Sequence, residues 1–482
     1  MTVFNSFVLD IQELINYNSH TIKLLIPSNK KCRFPYKTLY FSSNHRNKTV
    51  TDNLKIKKIK LNINSDYNVN YYINNYNYYA HYNLINNNGL LNSKTNNWNQ
   101  NFIIDDTIYL DNNITVNNKI NNISKNSKIY QYINGNIIFK KDNLYKYYKS
   151  LKKNNDLDFN YMPETFYYPQ EKNVIENKFK NYSLDLKNLW LVKPTNKYGG
   201  EGIFILNSLK EIKNKEFIIT KYIMNLDLIK KKKYDLRLYV LVSSLKPLRI
   251  YFNKEGLVRR ATENFSLNLS TIKNKFIHLT NTDVNKNSKN YIYPNSSHDE
   301  NAYIWNLDTY KKYLNRKKID WNIIYEKIKD IIIKTIISVQ QKIIDKNDEL
   351  NLKDYNFYNL LGFDILITNK FEPILLEVNY SPCMDIYDKV DISIKTNLLT
   401  DILNIVGIIP FSKKSYKNLD KDYIFKNDID ELMNNALCEL TRPRGDLELI
   451  FPLKDNIKKY KKYFNKITDI NERFWKIILN LN

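Results

Sequence analysis

The chain has 482 residues, 43% of them hydrophobic, which is enough for roughly two or three packed subdomains. Its 74 Lys and Arg residues against 50 Asp and Glu give a formal charge of +24, which predicts an anionic partner. The most apolar run, Ile331–Val339, contains Lys334 and is too short to cross a bilayer, so we expect no membrane span. The N-terminal segment has no basic region ahead of its apolar residues, which favours a soluble cytoplasmic protein without a secretory signal.

Residues 1–127 are predicted to form an N-terminal domain with low-complexity insertions. From Ser42 onward the sequence is rich in Asn, Tyr and Lys and has little periodicity, although Phe102–Leu110 alternates like a strand. We therefore expect an irregular region here, with few long elements.

Periodic structure begins near Lys128. Phe139, Leu144, Tyr147 and Leu151 have helical spacing. Apolar runs between Leu189 and Val242 then alternate with turn segments, which predicts a mixed sheet.

A long amphipathic helix is predicted from Trp321 to Ile344, with Ile323, Ile324 and Ile328 on its apolar face, and it should pack against a sheet. The region after Pro410 is basic and mostly helical in pattern. It is either a packed helix with a solvated basic face or a surface that binds a partner.

Two strand-like runs surround a polar turn at Thr368–Lys370. If the hairpin is centred between Lys370 and Phe371, Asp364 faces Glu377, and Asn379 follows on the same side. Facing carboxylates repel unless a cation lies between them, and Mg²⁺ prefers such oxygen ligands. The alternative is an exposed, charged edge hairpin.

A glycine-rich loop follows a strand that carries Lys193. Gly199, Gly200 and Gly202 lie between two strand-like runs, and no Lys-Ser or Lys-Thr pair of a Walker loop follows them. This pattern favours a flexible loop whose backbone N–H groups cover phosphates, with Lys193 adding positive charge. A plain glycine hairpin is the alternative.

Asp235 and Arg237 alternate with leucines along the next strand and therefore share a face. Arg237 and Arg259 could neutralise a transferred phosphoryl group through preorganised positive charge. Pairing with carboxylates at the surface is the alternative for each residue.

The chain contains, in this order, WLVKP, the glycine loop, TKYI, KYDLR, EGLVRRATE, HLTNTDVNK and GFDI with LLEVNYSP. Together these segments resemble the tubulin tyrosine ligase-like family. The resemblance covers about 128–409 and extends more weakly to TRPRGDLELIFP. It implies an α/β (α+β) chain with the ATP-grasp fold: mixed and antiparallel sheets with flanking helices. The irregular N-terminal region and a helical C-terminal extension would flank that fold.

The resemblance also implies an ATP- and Mg²⁺-dependent ligase that activates a carboxylate as an acyl phosphate, which an amine then attacks. By the same resemblance, Arg237 and Arg259 would be catalytic, and Arg259 and Lys395 would bind the incoming amino acid. A guanidinium and an ammonium group suit the two carboxylates of glutamate. The magnesium ligands would be Asp364, Glu377 and Asn379. The nucleotide contacts would be Lys141, Lys193, Gly199, Gly200, Gly202, Lys221, Tyr222, Ile223, Lys233, Asp235 and Asn281.

The organisation that follows has a central ATP-grasp subdomain with the glycine loop at 128–220 and a C-terminal subdomain with the metal site at 221–410. A basic helical extension occupies 411–482. The implied function is glutamylation of acidic tubulin tails, with free L-glutamate as co-substrate. It would act in the cytoplasm at microtubules, including those of axonemes or basal bodies.

Three other functions stay open. A glycine or tyrosine ligase would use the same chemistry, and a non-catalytic microtubule-binding protein would keep the fold. Nucleic-acid binding fits the charge and the many tyrosines, but no recognised motif supports it. Two acidic residues, Glu201 and Asp283, depart from the family pattern next to the expected phosphate site.

Overall fold

The computed structural model describes residues 128–130, 132, 135, 139–154, 158–179, 189–195, 197, 199–206, 209, 212, 216–349, 357–384, 387–407, 428–440, 442 and 444–480, together with the backbone of three short strands before residue 105. The low-complexity insertions predicted within 1–127 otherwise lie outside this part. The strand predicted at Phe102–Leu110 coincides with an observed strand at its beginning, Asn101–Ile104. None of the described helices has the length and apolarity to cross a membrane.

Ten of the described strands form one large mixed sheet, and its long antiparallel centre consists of β9, β10 and β12. Strands β11 and β14 both pair with β10, and β13 pairs with β12. Beyond β12 the order continues through β4, β3, β1 and β2, all in parallel. The bounds are β1 Asn70–Ile73, β2 Leu91–Asn92, β3 Asn101–Ile104, β4 Lys128–Tyr130, β9 Tyr234–Leu245, β10 Leu248–Arg260, β11 Ile304–Asn306, β12 Phe357–Ile367, β13 Pro373–Asn379 and β14 Leu447–Phe451.

A second, antiparallel sheet has the order β5-β8-β6-β7. Its apolar residues form a separate small core around Trp190 and Ile219. The bounds are β5 Thr165–Tyr168, β6 Trp190–Pro194, β7 Phe204–Ile205 and β8 Phe217–Lys221. Two sheets facing a common space, with helices outside, agree with the predicted α/β fold class.

Helices cover the large sheet, and the longest of them confirms the amphipathic segment that the sequence predicts. That helix, α6, also shows one error, because Ile323 is 59% exposed whereas Ile324 and Ile328 are buried. Ile323 lies in the first turns of the helix, where Asn322 and Glu326 are also exposed, whereas from Ile331 to Gln340 every side of the helix is buried. The described helices are α1 Lys141–Asn154, α2 Lys172–Phe179, α3 Lys275–His278, α4 Thr282–Asn285, α5 Leu307–Arg316, α6 Trp321–Glu349, α7 Lys389–Val406, α8 Asp428–Leu440, α9 Ile457–Lys461 and α10 Asp469–Leu479.

The C-terminal region contributes to the large sheet as well as to helices. Strand β14 pairs along β10, and Glu439 on α8 lies buried against that same strand. Its carboxylate accepts hydrogen bonds from Arg249 Nε at 2.7 Å and from the Tyr251 hydroxyl at 2.9 Å. We propose that the described residues from 428 onward are an integral part of the folded unit.

Candidate active site

Four charged side chains, three of them buried and Arg237 partly exposed, form a row across the centre of the large sheet. The strand register places Arg259 opposite Asp235 and Arg237 opposite Asp364. Arg259 donates to Asp235 through Nε at 2.8 Å and Nη2 at 2.6 Å, and Nη2 also lies 3.0 Å from Asp364 Oδ2. Arg237 donates to both oxygens of Asp364, at 2.5 and 3.1 Å. The attraction between two guanidinium groups and two carboxylates thus offsets the cost of removing their charges from water.

The predicted pairing of Asp364 with Glu377 is confirmed by the hairpin register. The turn is displaced from the predicted centre, because Ile367 pairs with Pro373, but a bulge beyond Asp364 restores the expected register. Asn379 lies on the same strand as Glu377, and its amide nitrogen is 3.4 Å from Asp364 Oδ2. The bulge therefore brings the three predicted oxygen donors to one end of the hairpin.

The side-chain oxygens of Asp364, Glu377 and Asn379 are suitable ligands for a magnesium ion. Burial alone would raise the pKa of Asp364, but Arg237 and Arg259 hold it well below its usual range, so the carboxylate is ionised. The described residues contain no group of three His, Cys, Asp or Glu side chains that could hold a metal ion. Two carboxylates and an amide nevertheless suffice for Mg²⁺, which retains several waters and shares its ligands with nucleotide phosphates.

A cavity of about 560 Å³ lies between the two sheets, and most of the predicted site residues line it. Lys193 enters from the small sheet and is buried, and burial lowers the pKa of its ammonium group while Glu377 opposes that shift. Lys141 Nζ lies 3.9 Å from Glu377 Oε2. The predicted residues that line the cavity are Lys141, Lys193, Gly199, Gly200, Lys221, Tyr222, Ile223, Lys233, Asp235, Asn281, Asp364, Glu377 and Asn379.

A second buried lysine is held in the wall of this cavity. Lys233 Nζ donates to the His278 carbonyl oxygen at 2.9 Å and lies 4.7 Å from the centre of the Tyr222 ring. Burial lowers the pKa of Lys233 to about 8 and that of His278 to about 4, so the imidazole is neutral at pH 7. His278 Nδ1 lies 2.9 Å from the Tyr222 hydroxyl, which fixes the ring in place.

The glycine loop packs against the residues around α4. Gly199 and Gly200 have φ of 62° and 85°, which favours glycine, and a Cβ on Gly200 would lie only 3.1 Å from the Asn281 side-chain oxygen. The two acidic departures near the loop are each paired with a lysine. Glu201 lies 2.5 Å from Lys197, and Asp283 lies 2.8 Å from Lys286.

Four predicted residues do not line the cavity. Arg237 and Arg259 reach it through their contacts with Asp364. Gly202 lies beside Pro194, where a Cβ would approach the proline ring to 2.9 Å. Lys395 is buried on α7, 2.8 Å from Asp391; burial opposes its charge, but Tyr239 and Asp391 raise its pKa.

Sequence reasoning did not single out Thr280. Its buried hydroxyl donates to Asp235 Oδ2 at 2.7 Å, next to the bond from Arg259. Thr280 lies in the HLTN segment, directly before the predicted nucleotide contact Asn281, and that position was the available signal.

Comparisons with known proteins agree with this geometry. Residues 117–415 match the model of the tubulin-tyrosine ligase family. Tubulin monoglutamylase TTLL4 of Mus musculus is 35% identical over 256 residues, which is 52% of this chain and 21% of that protein. Tubulin polyglutamylase TTLL5 of Mus musculus is 33% identical over 290 residues, 60% of this chain and 22% of that protein. Tubulin polyglutamylase ttll-5 of Caenorhabditis elegans is 29% identical over 346 residues, which is 67% of this chain and 47% of that protein. The matched part therefore spans about a fifth of the length of the two mouse proteins.

Proposed function

Because the chain belongs to the tubulin-tyrosine ligase family, we propose that it is an ATP-dependent ligase that adds glutamate to glutamate side chains of tubulin tails. The observation that supports this most strongly is the meeting of Asp364, Glu377 and Asn379 with Lys193 at one cavity between two sheets. The names of the relatives, which are tubulin glutamylases, support the choice of substrate. We propose the acceptor and the added amino acid on the strength of those names.

ATP would supply the phosphoryl group that activates the acceptor carboxylate, and Asp364, Glu377 and Asn379 would hold the Mg²⁺ that accompanies it. Lys193 and Lys233 present ammonium groups to the cavity and would bind phosphate oxygens. The glycine loop would cover those oxygens with its backbone N–H groups, since no side chains obstruct the approach at Gly199 and Gly200.

Arg237 and Arg259 would stabilise negative charge that develops during transfer. Both guanidinium groups are already fixed by carboxylates, so little reorganisation accompanies the reaction. We assign the carboxylates of the incoming glutamate to Arg259 and Lys395, because two cations on the same side of the sheet match two anionic groups. Arg259 lies 3.0 Å from Asp364, which lines the cavity, and Lys395 lies close to Tyr239 on the same strand as Asp235 and Arg237.

The acidic tubulin tails also match the charge of +24, which would steer them toward the protein in a salt-sensitive way. We place its action at the microtubule cytoskeleton of the cytoplasm, with axonemes and basal bodies as specific sites. A glycine or tyrosine ligase is the competing assignment within the same chemistry.

The test is ATP-dependent incorporation of labelled glutamate, glycine and tyrosine into purified microtubules. We expect glutamate alone to be incorporated, and Glu377→Gln to abolish that signal. Glu372→Gln is the matched control, because Glu372 lies in the same hairpin but pairs with Lys327 at the surface. Full activity of Glu377→Gln would overturn the metal-binding role, and incorporation of another amino acid would overturn the specificity.

A further inference from the structure

Exposed apolar side chains concentrate beside the candidate active site. Only six large apolar residues in the described part are more than about a third exposed, and three of them are Ile292, Tyr293 and Tyr387. With the exposed side chains of Lys286, Lys289, Cys383 and Lys389 they form what we call the rim surface.

Contacts join the two segments that make up the rim surface. Lys389 Nζ donates to the Asn295 carbonyl oxygen at 3.1 Å, which ties α7 to the loop that carries Tyr293. The Tyr387 hydroxyl lies 3.7 Å from Cys383 Sγ. Cys383 and Tyr293 both lie near enough to Lys286 to contribute to its raised pKa, which its hydrogen bond to Asp283 raises most. The two segments thus form one continuous surface.

The rim surface adjoins the residues that we assign to glutamate. Lys395 Nζ lies 5.6 Å from the centre of the Tyr387 ring. Ser381, two residues before Cys383, lines the main cavity beside Asn379. A chain lying on the rim surface would therefore reach the place where the new bond forms.

The charge of the rim surface is positive. Asp283 is paired with Lys286, and Asp391 with Lys395, so these carboxylates are compensated. Asp388 accepts two backbone hydrogen bonds at the start of α7. These backbone bonds leave the negative charge of Asp388 in place. In the described part, Lys286, Lys289, Lys389 and Lys395 therefore exceed Asp283, Asp388 and Asp391 by one positive charge, next to exposed aromatic rings.

We propose that the rim surface binds the acidic segment of the acceptor protein, an inference that rests on the proposed function. Tyr293, Ile292 and Tyr387 would pack against the extended peptide and exclude water, while Lys289 and Lys389 attract its carboxylates. Aromatic residues suit this role because they give a large contact area at low cost in side-chain entropy. The surface thus selects an acidic polypeptide and places its side chain at the cavity.

Steady-state kinetics with a synthetic glutamate-rich tubulin-tail peptide test this assignment. For Tyr293→Ala combined with Tyr387→Ala we expect the KM for the peptide to rise about tenfold, as for central aromatic contacts in other interfaces, with the KM for ATP unchanged. Ile323→Ala is the matched control, because Ile323 is 59% exposed on a different element, α6. An unchanged peptide KM in the double variant would overturn the proposal.

Alkylation of Cys383 gives a measurement that does not depend on activity. Cys383 is exposed within the rim surface, so bound peptide should slow its reaction with a maleimide, followed by mass spectrometry of the Cys383 fragment. We expect protection by the glutamate-rich peptide, none by the same peptide with glutamine replacing glutamate, and loss of protection in the Tyr293→Ala and Tyr387→Ala double variant.

The two measurements separate the possible failures. If the wild-type protein incorporates no glutamate but the peptide protects Cys383, the proposed function fails and the binding surface stands. If incorporation is normal and the peptide gives no protection, the acceptor binds elsewhere. Stronger protection by a single-stranded RNA than by the peptide would assign the surface to nucleic acid and overturn the proposal.

Discussion

The charged row of the large sheet and the glycine loop of the small sheet face the same cavity but hold their charges differently. The side chains of Asp235, Arg259 and Asp364 are 4–6% exposed and are fixed by several bonds each. In the loop, by contrast, Glu201 is 67% exposed and Lys197 46% exposed. Buried pairs are fixed before a ligand arrives, whereas exposed pairs exchange readily with solvent and ligand. The sheet supplies preorganisation, and the loop supplies adaptability.

The largest effect is expected on removing the carboxylate at the centre of the row. Asp364→Asn leaves Arg237 without its partner in a buried position, so the free energy of unfolding should fall by about 3–5 kcal/mol. Glu201→Gln, at the exposed pair, should change it by less than about 1 kcal/mol. Urea titration of both variants measures the difference, and equal effects would contradict the comparison.

A smaller effect is expected at Thr280, which supports the row from one side. Thr280→Val removes the hydroxyl that donates to Asp235 Oδ2, and Arg259 still donates to that oxygen. The variant therefore loses one hydrogen bond to a charged group, which should lower the free energy of unfolding by about 1.5–3 kcal/mol. Thr280→Ser keeps the hydroxyl and should restore most of the loss. If the serine variant is as unstable as the valine variant, packing of the methyl group explains the effect.

The smallest expected effect, and one that depends on pH, concerns Lys233. Because burial lowers its pKa to about 8, the residue loses its charge as the pH rises through that value. The affinity for ATP should then fall by up to about tenfold between pH 7 and pH 9. Lys233→Met should bind ATP weakly at both values, and equilibrium titration measures this.

The same residue gives an opposite trend in stability. The unfolded chain holds the proton up to the ordinary lysine pKa of 10.5, whereas the folded protein releases it near pH 8. The cost of burying the charged form is therefore present below pH 8 and is relieved as the pH rises toward 10.5, so the contribution of Lys233 to stability should increase with pH. Stability and ATP affinity that fell together across this range would contradict the assignment.

Local patterns in the sequence predicted much of the site. Alternation placed Asp235 and Arg237 on one face, and counting from the turn paired Asp364 with Glu377. The bulge that restores this register left no readable signal. Nor did the sequence indicate that Arg237 would contact Asp364, since those residues are 127 positions apart and meet only because β9 and β12 are neighbours. Pairing between distant strands depends on the whole sheet and not on local spacing.

The C-terminal region shows that residues beyond the end of the family match still pair with the large sheet. The family match stops at residue 415, yet Glu439 and strand β14 lie beyond it and both contact β10. A protein truncated at that limit would lose the only carboxylate bonded to Arg249 within the described residues, and would expose an apolar strand edge to aggregation. Recombinant fragments that end at residue 415 should accordingly be recovered in inclusion bodies, whereas those extending through α10 should be recovered in solution.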